Sequence, residues 1–178
     1  MTKISPTWRR PKKILIPTDP EFSKVPLLLH MDGSNGSTTF TDSSINNIQF
    51  TSANNARIST AQSVYGQSCI FDTAGARLST TSYSQLALGS GDFTVEFSIF
   101  FVSARTSGDP VFDWRNGGGY SPLIISINTS RIITFALGLS GGLASTQAVA
   151  LNSWSRVAFA RINNTLRCYI DGNPCGSV

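Results

Sequence analysis

The segment GSGDFTVEFSIFF, Gly89 to Phe101, most narrows what this chain can fold into. Phe93, Val95, Phe97, Ile99 and Phe101 recur at every second position, with Thr94, Glu96 and Ser98 between them. A period of two sends alternate side chains to opposite faces of a strand. This strand therefore needs a second layer to cover its apolar face. Phe100 interrupts the polar face, so that face is expected to be covered near its end.

The same grammar runs from Val25 onward. VPLLLHMDGSNGSTTF predicts a buried strand at Leu27 to Met31 followed by a Gly/Ser/Asn loop. INNIQFTS, ARISTAQ and QSCIFDTAGARLST follow, the last with Ile70-Phe71 and Leu78 flanking a turn at Thr73-Ala74-Gly75. VFDWRNGGGYSPLIISINTSRIITFALG reads as a strand, a flexible Gly117–Gly119 loop and a hairpin turning at Asn128 to Ser130. Leu123, Ile125 and Ile127 line one face of its first arm, and Ile133, Phe135 and Leu137 one face of its second. GLSGGLAS reads as a loose loop. NSWSRVAFARINNTLRCYIDGNP is a hairpin around Asn163-Asn164 with Leu166, Cys168 and Ile170 inward. Pro174 falls where a missing N–H does no harm to the ladder. No helix longer than a turn or two is expected. With 40% hydrophobic residues, 13% charged and eleven Phe, the chain reads as one all-β domain of about nine or ten strands, a two-sheet antiparallel sandwich or jelly roll.

Residues 1–25 differ. They carry Pro6, Pro11, Pro17 and Pro20 and show no sustained period, so they read as an extended arm. Lys3, Arg9, Arg10, Lys12, Lys13 and Lys24 face only Asp19 and Glu21 there, whereas residues 26–178 balance eight Arg against eight acids and contain no Lys. A basic arm on a neutral body suits attachment to an acidic surface better than a nucleic-acid-binding domain. Trp8, Arg9, Arg10, Lys12, Lys13, Ile14 and Ile16 are the candidate partner-binding residues; a solvated tail is the alternative. No signal peptide is recognisable, and no apolar run reaches the roughly 20 residues of a membrane span. Three cysteines, Cys69, Cys168 and Cys175, are expected as free thiols made in a reducing cytoplasm. A two-residue turn at Asp171-Gly172 would nevertheless set Cys168 directly opposite Cys175, leaving a bridge open.

VPLLLHMDGSNGSTTFTDSS, ARISTAQSVYGQSCIFD, LALGSGDFTVEFSIFF and LNSWSRVAFARINNTLRCYIDG, in that order, resemble the LamG-like, concanavalin A-like jelly-roll domains, and more narrowly the copies found in tailed-bacteriophage virion proteins. The resemblance covers roughly residues 25–172. It implies a two-sheet sandwich that binds carbohydrate or protein or serves as a structural module. Trp154 matches a family tryptophan and is expected in the core. Two departures stand out. Asp72-Thr73-Ala74-Gly75-Ala76-Arg77 replaces the family's Asp-Gly-x-Gly-Asp-Tyr turn. The sequence also ends at Val178, where relatives continue, so the sandwich of residues 26–178 is expected either to lack closing strands or to leave an open edge for a partner.

Jelly-roll glucanases carry carboxylates at i, i+2 and i+4 of one strand, which supply nucleophile and acid/base. Glu96 has Thr94 and Ser98 at those positions, so no catalytic residue is assigned and no enzyme activity is expected. The lone His30 has no nucleophile pointing to it, and with scattered Cys it makes no zinc spacing. Cofactors are expected to be absent, calcium being the exception to consider: the resemblance points to rim loops, where Asp32, Asp72, Asp109 and Asp113 are candidates, with turn capping as the alternative role. For sugars, Trp114, Arg115, Asn116 and Tyr120 bracket the triple-glycine loop and supply an aromatic face with directional donors; Trp114 also suits a core position. Together these features predict a non-enzymatic virion structural protein, a capsid decoration or a tail or fibre component, assembled in many copies in the host cytoplasm. The other virion proteins are its expected partners, and membrane and nucleic acid are not. A carbohydrate-binding adhesin for host glycans is the alternative, and a glycoside hydrolase a weaker one.

Overall fold

The computed structural model describes residues 19–64, 68–70, 75–81, 83–103, 108–113, 123–137 and 142–178. Most of the arm lies outside them, as do Asp72 and residues 114–120. Twelve strands are present among the described residues: β1 (Thr51–Ala53), β2 (Arg57–Ser59), β3 (Ser68–Ile70), β4 (Arg77–Ser79), β5 (Phe93–Phe100), β6 (Asp109–Asp113), β7 (Ile124–Ile127), β8 (Ile132–Ala136), β9 (Gly142–Ala148), β10 (Trp154–Ile162), β11 (Thr165–Ile170) and β12 (Asn173–Ser177). Two short 3-10 turns, Phe22–Lys24 and Tyr83–Leu86, are the only helical pieces among the described residues.

The strands form two four-stranded antiparallel sheets, ordered β12-β11-β10-β5 and β6-β7-β8-β9, plus the two-stranded pairs β1-β4 and β2-β3. The four-stranded sheets face each other across one core, in a jelly-roll sandwich. Leu123, Ile125, Ile133, Phe135, Val157, Phe159 and Cys168 are fully buried there. Aromatic pairs cross between the layers: Phe93 stacks on Phe135 at 5.8 Å, Phe135 meets Phe159 at 5.0 Å, and Phe97 meets Phe112 edge-on at 5.2 Å.

The alternation in β5 does what its period requires. Phe93, Val95, Phe97 and Ile99 pack against the core, yet they are only half-buried. Among the described residues β5 is the last strand of its sheet, so there these side chains have a strand neighbour on one flank alone. The predicted hairpins also form. Asn163 and Asn164 adopt φ 50° and 61°, and Asp171 and Gly172 adopt 52° and 79°, the left-handed pairs that a tight two-residue turn demands. At the β7–β8 turn, the Asn128 carboxamide oxygen accepts from Ser130 N and Ile132 N at 2.9 and 3.0 Å.

Four expectations are corrected. Residues 27–31 form no strand: a single bridge joins Leu29 to Asp42, and Leu27, Leu28 and Leu29 are half-buried. The Leu28 N–H goes to the Asp42 carboxylate at 2.9 Å instead of to a ladder, and Met31 turns left-handed at φ 58°. GLSGGLAS is not all loop, because Gly142–Ala148 is β9, paired to β8 with Leu143 and Ser145 buried. Trp154 sits outside the core, half-buried and edge-on to Phe100 at 5.5 Å; it is the cover that Phe100 called for. Finally, Cys168 and Cys175 are joined in a disulfide, Cα–Cα 5.2 Å, so these two are not free thiols. They are not directly opposite either. A bulge in β12 pairs Cys168 with Gly176 and turns Cys175 into the core beside it.

Candidate functional site

The outward face of the β12-β11-β10-β5 sheet carries Glu96, Arg156, Arg167, Tyr169 and Asp171. Register aligns side chains into rows across the strands. Glu96, Ala158, Tyr169 and Pro174 form one row, and Thr94, Ala160, Arg167 and Ser177 the next. β10 contributes only alanines to these two rows. Ala158 is half-buried and floors an open trough between the taller residues of β5 and β11, whereas Ala160 is buried.

At one end of the trough, Arg156 Nη2 donates to both Glu96 carboxylate oxygens at 3.1 Å, with the side chains 64% and 54% exposed. The backbone N–H of Arg156 donates to Asp171 Oδ1 at 2.8 Å, and Asp171 N donates to Arg156 O at 2.8 Å. These bonds fix the β11–β12 turn against β10. Glu96, Arg156, Ala158, Tyr169, Asp171 and Gly172 enclose an open depression of about 540 Å³. A second depression of about 290 Å³ lies on the other side of Tyr169, lined by Arg167, Pro174, Gly176 and Ser177. Tyr169 is the wall they share.

Glu96, to which the sequence assigned no role, lies in this site, and none of the predicted site residues does among the described residues. Trp114, Arg115, Asn116 and Tyr120 lie outside the described residues, as do Trp8, Arg9, Arg10, Lys12, Lys13, Ile14 and Ile16. So does Asp72, and the side chain of Asp109 is likewise not described. Asp32 is exposed in a loop, Asp113 ends β6, and His30 is exposed beside the Leu29 bridge. Among the described residues, no three His, Cys, Asp or Glu side chains converge as a metal site would require.

Sequence reading missed Asp171 as a companion to Glu96, because the two stand far apart in the chain and only the β5-β10-β11 order brings them to one depression. It also passed over Asp42, the most buried carboxylate described. Asp42 accepts from Leu28 N, Ser44 N, Ile48 N and Ser44 Oγ at 2.8–2.9 Å. Burial pushes its carboxyl up, but the backbone N–H groups of Ile48, Leu28 and Ser44 and the Ser44 hydroxyl outweigh this and hold it below its ordinary value. Its oxygens face hydrogen-bond donors, which makes it a staple for the loop and a poor cation ligand.

Comparison with known proteins agrees with this architecture. No curated protein sequence matches the chain. Among solved structures, a mutant of Trypanosoma rangeli sialidase displaying trans-sialidase activity superposes with a TM-score of 0.56 at 16% identity, over 87% of this chain and 24% of that one. The chain thus spans about a quarter of the sialidase, and the likeness is one of fold. An S-layer domain-containing protein from Clostridium thermocellum aligns with a TM-score of 0.45 at 20% identity, over 85% of this chain and 71% of the other. The profile of Laminin_G_3, the concanavalin A-like lectin/glucanases superfamily, matches residues 72–178. That match spans more than half of the chain, including both four-stranded sheets, and the chain belongs to the concanavalin A-like lectin/glucanases superfamily.

Proposed function

We propose that the chain is a non-enzymatic attachment and display protein of a tailed-bacteriophage virion. Its arm, residues 1–25, anchors it to a capsid or tail neighbour, and its sandwich presents a face to carbohydrate on the host surface. The observation that carries the non-enzymatic part is the environment of Glu96. A carboxyl that works as a general acid at neutral pH calls for a water-excluding surround. The Glu96 side chain is 54% exposed and held by Arg156. Asp171, the other acid in the depression, accepts the Arg156 backbone N–H and so ties the β11–β12 turn to β10. The sugar-facing part draws support from membership of a superfamily named for lectins and glucanases.

The anchoring part rests on the charge asymmetry between residues 1–25 and the neutral remainder. Disulfides persist in oxidising surroundings, so assembly in the host cytoplasm calls for the Cys168–Cys175 bridge to close after particles leave the cell. Deleting residues 1–25 is expected to abolish incorporation into particles while the sandwich stays folded; unchanged incorporation overturns the anchor. The purified chain is expected to leave soluble glucans intact. Turnover that disappears in Glu96→Gln or Asp171→Asn would make it a glycoside hydrolase instead.

A further inference from the structure

We propose that the side of the sandwich edged by β5 and β6 is the docking site for the arm of a second copy, whose residues 12–16 add to β5 as an extra strand. This rests on the reading of the arm as an attachment device, and it names the neighbour and the surface that the arm meets.

The sandwich is sealed on one side and open on the other. β9 and β12 are edge strands, yet their inward residues Leu143 and Cys175 are buried. The two strands approach so closely that a Cβ on Gly176 would meet Leu143 Cδ1 at 3.0 Å, and Thr146 Oγ1 donates across to Cys175 O at 3.1 Å. β5 and β6 are also edge strands among the described residues, and they meet through the Phe97–Phe112 ring contact at 5.2 Å. Here Phe93, Val95, Phe97, Ile99 and Val111 pack against the core but stay half-buried. Edge position alone therefore does not account for the difference. Among the described residues β5 pairs only with β10, so there the backbone groups on its other flank have no ladder partner, which is the template for strand addition.

Sequence and charge select the occupant. A strand that covers this side needs apolar side chains at alternate positions. Outside the described residues, Ile14-Leu15-Ile16 is the one run of three apolar residues. Pro11 and Pro17 bracket it, and proline does not continue a ladder. That leaves residues 12–16, about 16 Å of strand, to lie along the eight residues of β5. With Ile14 and Ile16 turned inward beside β5, Lys13 turns to the outward face that carries Glu96. Residues 1–18 hold Lys3, Arg9, Arg10, Lys12 and Lys13 and no acid. By sequence, β5 and β6 hold Glu96, Asp109 and Asp113 and no cation, whereas β9 and β12 hold no charge at all. The basic arm is complementary to the open side and not to the sealed one.

The base of the arm favours a second copy over the chain's own sandwich. Only Pro17 and Thr18 separate Ile16 from Asp19, a span of about 10 Å. The backbone bonds Phe22 N to Asp19 O, Lys24 N to Glu21 O and Val25 N to Phe22 O, with the Lys24–Glu21 ion pair, all close within residues 19–25. Among the described residues, no hydrogen bond or ion pair ties this base to the sandwich, so the short link does not direct Ile14 and Ile16 to their own β5. A neighbouring copy meets no such constraint.

The test is sedimentation equilibrium of the full chain over a dilution series. The parent is expected to self-associate, about tenfold more weakly at about 1 M salt than at about 0.1 M. Ile14→Asp/Ile16→Asp spoils the arm, and Val95→Lys places a charge on the inward face of the β5 edge. Each should be monomeric with cooperative thermal unfolding. Mixed in equal amounts they should form a one-to-one complex, since one supplies the arm and the other the edge. Should Val95→Lys fail to fold, Glu96→Lys on the exposed face should weaken association about tenfold, and Lys13→Glu should restore it. A monomeric parent overturns the inference, and so does association that survives Ile14→Asp/Ile16→Asp. A mixture of folded variants that stays monomeric, or a charge reversal without rescue, removes β5 as the seat of the arm. Particle incorporation separates this inference from the anchoring reading. A monomeric parent that still needs residues 1–25 for incorporation leaves the anchor standing on another virion protein. Arm-dependent self-association with incorporation unchanged by the deletion overturns the anchor alone.

Discussion

Asp42 shows how a single side chain organises a stretch with no strand of its own. Its carboxylate gathers three backbone N–H groups and one hydroxyl from residues 28, 44 and 48. Because its folded pKa lies below the ordinary value of 3.8, its stabilisation is fully present above that value and fades as pH falls through the folded pKa. Asp42→Asn is expected to cost about 1–3 kcal/mol at neutral pH. It should also flatten the fall in stability below pH 3.8, read by denaturant titration at several pH values. Glu96→Gln is the contrast: an exposed ion pair contributes about 0–1 kcal/mol, so its melting temperature should barely move. Neither role is legible from residue type. Asp42 and Glu96 are both lone acids in sequence, and what separates them is how many donors the fold delivers to each.

At the scale of elements, periodicity was readable wherever side chains are large. β5, β7, β8 and β11 carry Phe, Val, Ile, Leu or Cys at alternate positions, and their inward faces are those the alternation predicts. β9 was not readable, since Gly-Leu-Ala-Ser-Thr-Gln-Ala has little intrinsic strand preference and owes its conformation to pairing with β8. The β12 bulge was equally silent. Gly176 occupies φ 149°, and a Cβ there would meet Leu143 Cδ1 at 3.0 Å and Ala144 O at 3.1 Å. Gly176→Ala is therefore expected to destabilise by about 1–3 kcal/mol, with a matching drop in denaturation midpoint. Removing the bridge with Cys168→Ser should cost about 2 kcal/mol or somewhat more, since a sequence separation of seven closes only a short loop. Thermal melts with and without reductant should show the parent approaching the variant.

The whole molecule depends on contact between sheets. Phe135 lies fully buried at their centre, against Phe93 on one side and Phe159 on the other. Phe135→Ala is expected to cost about 3–5 kcal/mol, lowering the unfolding temperature more than any surface change considered above. Beside this core, Thr146 Oγ1 of β9 donates to Cys175 O of β12 at 3.1 Å, tying the two sheets together at that edge. Among the described residues β5 ends its sheet at the other. By itself the sequence determined the strand period, the hairpin turns and the jelly-roll class, because those follow from interactions between residues near in the chain and from the need to bury alternate side chains. Only the tertiary structure decided that Glu96, Arg156, Tyr169, Asp171 and Pro174 share one face. Their meeting depends on strand order and on a register that one bulge shifts, and both are set by packing between segments distant in sequence.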